Sequence, residues 1–427
     1  MSNKHRILVV AHGHPDFSLG GAEVAAYNLY LGYQQQPEVE KTWFMARIDR
    51  GGAPSGKISI RRENEYLWEQ CVHDWDRMSA GNKESLESQL APLIEELQPT
   101  AVHFHHYAHM GLEMFRVVKN VNPEIKIYLT LHEYMAICQH DGQMVKTDKN
   151  LTLCNQSSDD DCARCFPSKT REHFWLRKYR FLNYFNLVDH FFSPSHFLKD
   201  RYVAWGLEEQ DITVIENGHQ HKEPIPPREL KEGEARNRFA YFGQVTRYKG
   251  LDLLLKAMNQ IPKKALKNIH VEIHGANLES QTEDVQEAIH ELLDPLVKVG
   301  AVTWCGPYQP NDVHQLMANV DWILMPSIWW ENSPMIIQEA FRVGRPVVCS
   351  DIGGMEEKVS HQVNGYNVRA RGLFEWSRAI VDLSSVSDDY LTIVSNIESP
   401  INVSKCAGQH LRTIEGEYEA NSSHWDA

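Results

Sequence analysis

The stretch MPSIWWENSPMIIQEAFRVGRPVVCSDIGG, residues Met325–Gly354, places two glutamates on either side of a predicted helix start. Ser333 is a favourable N-cap residue, and Pro334 suits the first helical position. Glu331 would then lie in the loop before the helix, and Glu339 in its second turn. The apolar runs on both sides of the helix predict parallel strands, which is the pattern of an α/β domain.

The predicted helix start is suited to an anion. The backbone N–H groups of Met335 and Ile336 have no partner inside the helix, and the helix dipole adds to their attraction for phosphate. The flanking carboxylates can accept hydrogen bonds from sugar and ribose hydroxyls. The segment therefore predicts a nucleotide-sugar site; the alternative is an ordinary surface helix with two unrelated glutamates.

The same segment resembles the E-x7-E signature of the retaining family-four glycosyltransferases, which have the GT-B fold. The flanking residues that also fit this family are Pro326-Ser327, Gly344-x-Pro346-Val347-Val348 and Gly353-Gly354. The resemblance implies that Glu339 holds the ribose hydroxyls of the donor. It also implies that the sugar hydroxyls and the diphosphate are held by Glu331 and the residues after it, Asn332, Ser333, Met335 and Ile336.

Length and composition narrow the class of protein. A chain of 427 residues is too long for one ordinary hydrophobic core, which predicts two domains. Hydrophobic residues make up 42% of the chain and charged residues 23%, as in globular proteins. The formal net charge of −14 argues against broad nucleic-acid binding and against attachment to anionic lipid by overall charge alone.

The apolar runs of the chain bear on its location. The N-terminal MSNKHRILVVAHG has one short apolar run and no small-residue cleavage site, so it is predicted to be a first strand rather than a signal peptide. No stretch reaches the length of a membrane span. The protein is expected in the cytoplasm or at the inner face of the membrane, with its eight cysteines mostly reduced.

Short apolar strands alternate with amphipathic helices, which predicts an α/β chain of two doubly wound parallel-sheet (Rossmann-like) domains facing a cleft, the GT-B architecture. Residues 1–218 would form an acceptor-side domain with a cysteine-containing insertion near 133–168. A polar, proline-containing linker is expected at 219–237, and a nucleotide-sugar domain at 238–400. A helical tail is expected at 401–427, and in the family such a tail crosses back to the first domain.

The apolar runs predict six strands in each domain. Those of the first domain are Arg6–Ala11, Thr42–Ala46, Ala101–His105, Lys126–Leu131, Val188–Ser193 and Ile212–Ile215. Those of the second are Arg238–Phe242, His270–His274, Val302–Cys305, Trp322–Met325, Pro346–Cys349 and Tyr366–Val368.

The segment GQVTRYKG, Gly243–Gly250, follows the first strand of the second domain. It resembles the family's G-R-L-x-x-x-K-G segment, whose Arg and Lys contact the donor pyrophosphate. Lys249 falls on the Lys position, whereas Gln244 replaces the Arg, and Arg247 on the same loop can supply the missing guanidinium. Two fixed cations would stabilise a departing diphosphate and make a metal ion unnecessary; the alternative is a solvated basic loop.

Two features of the first domain complete the predicted site. Gly20 and Gly21 open a helix where N–H groups can approach a phosphate or a sugar; the family has a similar loop near the donor diphosphate, and a plain turn is the alternative. The run VHFHH, Val102–His106, resembles the family's H-x-H strand end, whose histidine faces the reacting sugar. That alignment favours His105, although His103 points to the same side of an ideal strand. The alternatives are satisfied core or rim histidines and, less favoured, zinc ligands.

The cysteines of the insertion, Cys138, Cys154, Cys162 and Cys165, have a C-x15-C-x7-C-x2-C spacing. A C-x-x-C pair in a cytosolic chain is typical of structural zinc sites. Because a single such pair is present, reduced thiols are the favoured interpretation and structural zinc is the alternative.

The run KTREHFWLRKYRFLNYF, Lys169–Phe185, mixes basic and aromatic residues. The favoured interpretation is a helix with its aromatic side in the core and its basic side in water. Contact with a membrane surface, near a lipid-linked acceptor, is the alternative.

Together these features and the resemblance predict a retaining, metal-independent glycosyltransferase without a cofactor. It would move a hexose-type sugar from a nucleoside-diphosphate sugar to a glycan, lipid-linked or small-molecule acceptor, in surface polysaccharide or glycoconjugate synthesis. Glu331, His105 and Lys249 would be the catalytic residues, and the leaving phosphate would take the acceptor proton. Two alternatives stay open: a nucleotide-sugar epimerase of the same fold, and a non-catalytic protein that binds a glycan or nucleotide sugar, which the departure at Gln244 favours.

Overall fold

The computed structural model describes residues 4–18, 20–148, 150–276, 278–385 and 389–416. The chain divides into two compact units, one formed by Met1–His221 with Ile401–Ala427 and the other by Lys222–Pro400. Of the predicted tail 401–427, residues 417–427 lie outside the described residues.

The first unit is built on an eight-stranded sheet. Its strands are β1 (His5–Ala11), β2 (Val39–Ile48), β3 (Ile58–Arg62), β4 (Glu65–Glu69), β7 (Ala101–Phe104), β8 (Lys126–Thr130), β9 (His190–Ser193) and β10 (Ile212–Val214), with a separate ribbon of β5 (Val72–Asp74) and β6 (Ser79–Ala80). Its helices include α1 (Gly21–Tyr33), α2 (Ala91–Leu97), α3 (Glu113–Val121), α4 (Asp159–Cys165), α5 (Arg171–Phe185) and α6 (His196–Trp205), with a π-helical turn at Leu86–Leu90 and a 3-10 turn at Glu209–Asp211. The strand order is β10-β9-β8-β7-β1-β2-β4-β3, and the pairs are parallel except β3 with β4.

The second unit has a six-stranded, fully parallel sheet in the order β13-β12-β11-β14-β15-β16. Its strands are β11 (Arg238–Gln244), β12 (His270–Ala276), β13 (Val302–Gly306), β14 (Trp322–Met325), β15 (Val347–Ser350) and β16 (Gly365–Val368). Its helices are α7 (Leu251–Asn259), α8 (Lys263–Leu266), α9 (Glu283–Lys298), α10 (Val313–Ala318), α11 (Met335–Val343), α12 (Gly354–Lys358), α13 (Leu373–Leu383) and α14 (Tyr390–Ser395). In the part of the chain that the structure describes, no helix is long and apolar enough to cross a bilayer.

The last helix, α15 (Val403–Ile414), belongs to the first unit and packs against α1. The two helices approach closely at Gly32, where a Cβ atom would overlap the carbonyl oxygen of Val403. The central strand β1 is buried from Ile7 to Ala11, as expected for a parallel strand covered on both faces.

All twelve predicted strands are present. The short strands β3 to β6 were not predicted from the sequence. Most residues of β3 are exposed and polar, so this edge strand lacks the apolar run that marks a buried strand.

Much of the predicted linker 219–237 packs on the second unit instead of standing apart. The carboxylate of Asp321, which is 1% exposed, accepts hydrogen bonds from Arg228 Nε and Arg236 Nη1, both at 3.2 Å. The buried Arg345 donates to the carbonyl of Ile225 at 2.8 Å. A buried charge needs such partners, and here the linker supplies them.

The sheet order positions the candidate functional residues. Strands β11, β14 and β15 are neighbours, so the loops after them meet at the carboxyl edge of one sheet. The neighbours β8, β7 and β1 do the same in the first unit. Ligands of open parallel sheets bind outside this edge.

Candidate functional site

The carboxylate of Glu331 lies at the centre of the candidate site in the second unit. The residue is 6% exposed. Its Oε1 atom accepts hydrogen bonds from Lys249 Nζ at 2.7 Å, Ser327 Oγ at 2.8 Å and Trp329 Nε1 at 3.0 Å. Three donors on one oxygen fix the orientation of this carboxylate before any ligand arrives.

Glycines let the three loops of this site approach one another. A Cβ atom at Gly250 would overlap the carbonyl oxygen of Pro326, and one at Gly354 would overlap that of Asn332. The N–H group of Gly354 also donates to the carbonyl of Glu331 at 2.7 Å. Backbone contacts between loops therefore position Glu331, which explains why glycines belong to the motif.

The helix of the motif, α11, begins at Met335, one residue later than predicted. Its N-cap residue is Pro334, without a side-chain cap, so the predicted N-cap role of Ser333 is wrong. The buried hydroxyl of Ser333 has no hydrogen-bond partner among the described residues. Met335 and Ile336 are in the first turn, where N–H groups lack intrahelical acceptors, and Asn332 lies in the loop just before it.

Glu339 lies in the second turn of α11, as predicted, and is partly buried. Burial raises the pKa of its carboxyl to about 7, although Arg342 and Lys222 act in the opposite direction. Burial and then the charge of Glu339 raise the pKa of Tyr308 to about 12. The Glu339 carboxyl therefore changes its charge near neutral pH, where a hydrogen bond from a ligand hydroxyl would favour the ionised form.

The basic loop offers two cations. Lys249 contacts Glu331, yet its side chain is 33% exposed, so the ammonium also faces solvent. Arg247 on this loop and Gln244, the last residue of β11, are both exposed. An anion at this position would meet one partly paired ammonium and one exposed guanidinium.

The structure separates the two histidines of the H-x-H strand end. Each ring nitrogen of His103 has a partner in the core: Nδ1 lies 3.0 Å from the Tyr33 hydroxyl, and Nε2 lies 2.7 Å from that of Thr130. His105 pairs through Nδ1 with Nε2 of His132 at 3.0 Å, whereas its own Nε2 is buried without a hydrogen-bond partner among the described residues. Burial and then the neighbouring histidines lower the pKa of His105 well below its usual value. Of the two, His105 is the one with a buried ring nitrogen left for a ligand.

A carboxylate occupies the glycine loop of the first unit. Glu23, 6% exposed, lies so close to Gly20 that a Cβ atom there would overlap its Oε2. A Cβ atom at Gly13 would come within 2.9 Å of its Cγ, and its Oε1 accepts a hydrogen bond from Ser18 at 2.7 Å. Gly20 is the N-cap of α1 and Gly21 its first residue. The loop thus makes room for a negative side chain at the helix start, which argues against the predicted diphosphate contact of Gly20 and Gly21.

Several polar residues near this loop were not among the site residues predicted from the sequence. His12 Nε2 lies 3.4 Å from Glu23 Oε1, and both residues line a cavity of about 580 Å³ together with Arg47 and His109. Beyond the end of β8, burial raises the pKa of Glu133 to about 7. Their position in the sequence could have identified them as site candidates, because His12 and Glu133 come shortly after buried parallel strands.

The cysteines of the insertion, Cys138, Cys154, Cys162 and Cys165, form no disulfide and are partly buried. Burial, followed by the neighbouring thiol of Cys138, raises the pKa of Cys162 to about 12. Across residues 4–416, apart from the gaps in the described ranges, one set of three metal-binding atoms lies within 4.8 Å of one another, and it comprises Glu272, His274 and Cys305. In that set Glu272 and His274 already hydrogen-bond each other at 3.0 Å. Zinc on Cys138, Cys154, Cys162 and Cys165 stays the untested alternative to reduced thiols.

Two family models match the chain. Residues 19–222 match the model described as Glycosyltransferase Family 4, and residues 236–385 match the model described as Glycosyl transferases group 1. The chain therefore has a glycosyltransferase family 4 domain followed by a glycosyl transferases group 1 domain. The two matches cover most of its first and second units respectively.

Curated relatives match this glycosyltransferase over part of their length. The lipopolysaccharide 1,2-N-acetylglucosaminetransferase of Salmonella typhimurium is 26% identical over 182 residues, 41% of this chain and 47% of that protein. The D-inositol 3-phosphate glycosyltransferase of Mycobacterium marinum is 24% identical over 178 residues, 42% of this chain and 35% of that protein. The chain thus spans less than half of the length of these relatives.

Solved structures share the fold over nearly the whole chain. Anabaena Alr3699/HepE, solved in complex with UDP and glucose, has a TM-score of 0.64 at 16% identity and covers 96% of this chain and 100% of its own. This likeness, together with the two parallel sheets, confirms the predicted GT-B fold class.

Proposed function

We propose that the chain is a retaining, metal-independent glycosyltransferase that takes a hexose from a uridine diphosphate sugar. The buried Glu331 carboxylate carries the proposal, because three donors orient it at the carboxyl edge of the sheet, directly before the start of α11. Alr3699/HepE, of the same fold, was solved with UDP and with UDP-glucose, which favours uridine as the base and glucose as the sugar to test first.

Each group at the second-unit site has a role in this proposal. The diphosphate contacts the N–H groups at the start of α11, and Glu339 accepts hydrogen bonds from the ribose hydroxyls. Glu331, with the neighbouring Asn332 and Ser333, holds the sugar hydroxyls. Lys249 and Arg247 stabilise the leaving diphosphate as its charge develops, which is the task a metal ion performs in other transferases.

The first unit supplies the acceptor side of the proposed reaction. His105 presents its open Nε2 to the donor sugar near the bond that breaks, and the leaving phosphate takes the proton of the attacking hydroxyl. The acceptor is a glycan, a lipid-linked glycan or a small polyol at the cytoplasmic face of the membrane. The names of two relatives mention lipopolysaccharide and D-inositol 3-phosphate, which supports acceptors rich in hydroxyl groups.

A binding experiment tests the donor part of the proposal. UDP-glucose should raise the melting temperature more than GDP-glucose or ADP-glucose, because a ligand that binds the folded state alone stabilises it. The shift should persist in EDTA. A chain that none of the three stabilises would contradict the proposal.

Turnover experiments separate the remaining alternatives. With glycan and polyol acceptors present, UDP should be released, and proton NMR of the product should show the anomeric configuration of the donor. Conversion of the nucleotide sugar without any acceptor would indicate an epimerase. Tight binding without UDP release across the acceptor panel would indicate the non-catalytic protein that the exchange at Gln244 favours.

A further inference from the structure

Helix α5 has large apolar side chains on its outer face, in contrast to the favoured sequence interpretation. Its inner face buries Phe174 and Phe181, as predicted. Trp175, Leu176 and Tyr179, here called the α5 ridge, are 55%, 56% and 61% exposed. Three such residues on one helix form a patch, which marks an interaction surface more often than isolated exposed residues do.

The α5 ridge is ordered by its own contacts. The rings of Trp175 and Tyr179, one helical turn apart, stack with centroids 5.6 Å apart and planes inclined by 10°. Tyr179 also lines cavities on both sides of the helix, one of about 600 Å³ and one of about 400 Å³. The ridge therefore projects between two concave surfaces.

The larger of these cavities is basic. Its lining includes four cationic side chains, Arg77, Lys83, Arg116 and Arg180, together with Asp74. The Arg77 and Lys83 side chains are 63% and 60% exposed.

Two carboxylates partly offset these cations. Asp74 lies 3.4 Å from Arg77, and Glu113 lies 2.9 Å from Arg180 and 4.0 Å from Lys83. Arg116 has its guanidinium 4.9 Å from the centre of the Tyr184 ring and makes no ion pair with a described residue. Four cations against two carboxylates leave a local positive charge on a chain whose net charge is −14.

We propose that the α5 ridge and the adjoining basic cavity dock the protein on an anionic phospholipid surface. Trp and Tyr rings favour the boundary between water and acyl chains, and Lys and Arg side chains are attracted to the lipid phosphates. A positive cavity beside an exposed aromatic ridge matches an anionic bilayer, which presents phosphates next to acyl chains. This docking rests on the proposed function in one respect, because its benefit is to bring the enzyme to a lipid-linked acceptor.

The same helix connects the docking surface to the candidate site of the first unit. On the inner face of α5, the buried Arg177 donates from Nη1 to the carbonyl of Ala136 at 2.7 Å and from Nε to that of Asp76 at 3.0 Å. It also donates to the carbonyl of Met135. Ala136 and Met135 belong to the loop after β8, which begins beside His132, the partner of His105. Docking of the outer face of α5 would therefore leave this loop one helix diameter, ~10 Å, from the membrane surface.

Vesicle co-sedimentation of the full chain tests the proposal. Vesicles that contain phosphatidylglycerol should bind the protein, and vesicles of phosphatidylcholine alone should bind it at least about tenfold more weakly. The double variant Trp175→Ser/Tyr179→Ser and the double variant Lys83→Gln/Arg116→Gln should each weaken binding to the anionic vesicles about tenfold. The matched control is Phe374→Ser, since Phe374 is 68% exposed on the second unit and should bind as the unchanged protein does.

Several outcomes would overturn the docking surface. These are equal binding to both vesicle types, unchanged binding of both double variants, or competition by inorganic phosphate beyond the effect of matched ionic strength, which would indicate a small-anion site. A dimer in solution that Trp175→Ser/Tyr179→Ser dissociates would assign the ridge to a second copy. Melting temperatures check that each variant folds. Because no nucleotide sugar is present, failure here leaves the proposed transfer reaction untouched, and failure of UDP-glucose binding leaves this test valid.

Discussion

The Glu331 carboxylate of the second unit and the histidines of the first unit differ in how many hydrogen-bond partners their polar atoms have. In the second unit, one oxygen of Glu331 has three donors. In the first unit, His105 and His12 each keep a buried ring nitrogen without a hydrogen-bond partner among the described residues. A buried polar atom left unpaired costs about 1–3 kcal/mol, and a ligand that supplies the partner recovers this energy. The Glu331 carboxylate is thus organised before binding, whereas His105 and His12, like the Ser333 hydroxyl of the second unit, hold unused hydrogen-bonding capacity.

The largest expected effect on turnover comes from substitutions at the ion pair of Lys249 and Glu331. Lys249→Ala and Glu331→Ala should each lower turnover at least about tenfold, because the fixed charges that stabilise the leaving diphosphate and the sugar are lost. Ser327 and Trp329 still contact Glu331 in Lys249→Ala, so the fold should survive. Steady-state release of UDP measures the effect. Lys256→Ala, which removes an exposed lysine paired with Asp252 at 2.9 Å, is the control. Near-normal turnover in both site variants would refute these roles.

Substitutions of His103 and His105 in the first unit should have different effects, one mainly on stability and the other mainly on turnover. His103→Ala leaves the hydroxyls of Tyr33 and Thr130 unpaired in the core and should lower the free energy of unfolding by about 2–4 kcal/mol. His105→Ala should lower turnover per folded molecule about tenfold, with a smaller loss of stability. Urea denaturation and UDP release measure the two effects. The reverse pattern would show that His103, not His105, faces the ligand.

The pH dependence of UDP binding should test the proposed ribose contact of Glu339. Burial raises the pKa of this carboxyl to about 7. A ribose hydroxyl that donates to this carboxyl favours the ionised form, so its pKa falls on binding and a proton is released. Affinity should therefore rise with pH, and be about tenfold weaker at pH 6 than at pH 8. Calorimetry at both pH values measures it. Since UDP itself titrates, Glu339→Gln supplies the baseline, and identical pH profiles of the two proteins would rule out the ribose contact.

The smallest expected effect concerns the departure from the family motif. Arg247→Gln should weaken UDP binding about threefold if this exposed guanidinium replaces the one absent at Gln244. Gln244→Arg in the same chain should restore the affinity. Arg378→Gln, at a side chain that is 70% exposed, serves as the control. An unchanged affinity in Arg247→Gln would leave Lys249 as the cation of the loop.

Much of the fold follows from local patterns. Buried parallel strands such as Ile7–Ala11 are continuous apolar runs, and such runs are visible in a sequence. The edge strand β3 and the ribbon of β5 and β6 lack this signal, because their pairing depends on neighbouring strands. The packing of the predicted linker could not be inferred for the same reason, since its arginines interact with a distant aspartate, Asp321.

The candidate site was predictable where its residues share one short motif. Glu331 and Glu339 belong to a single loop and helix, so their placement around the helix start could be inferred from spacing, apart from the one-residue shift of the N-cap. The role of Gly20 was harder to infer. A glycine beside a helix start suits an anionic ligand or an anionic side chain equally well, and only the packed loop shows that Glu23 fills the space.

By itself, the order of apolar runs and turns determined two parallel α/β units, since each strand and helix is specified by residues close in the chain. Tertiary structure alone decided which polar groups meet. The contact of Lys249 with Glu331 joins residues from two different loops, and the choice between His103 and His105 depends on hydroxyls from α1 and β8. Such contacts between residues distant in the chain are set by the packing of strands and helices, and no local pattern encodes them.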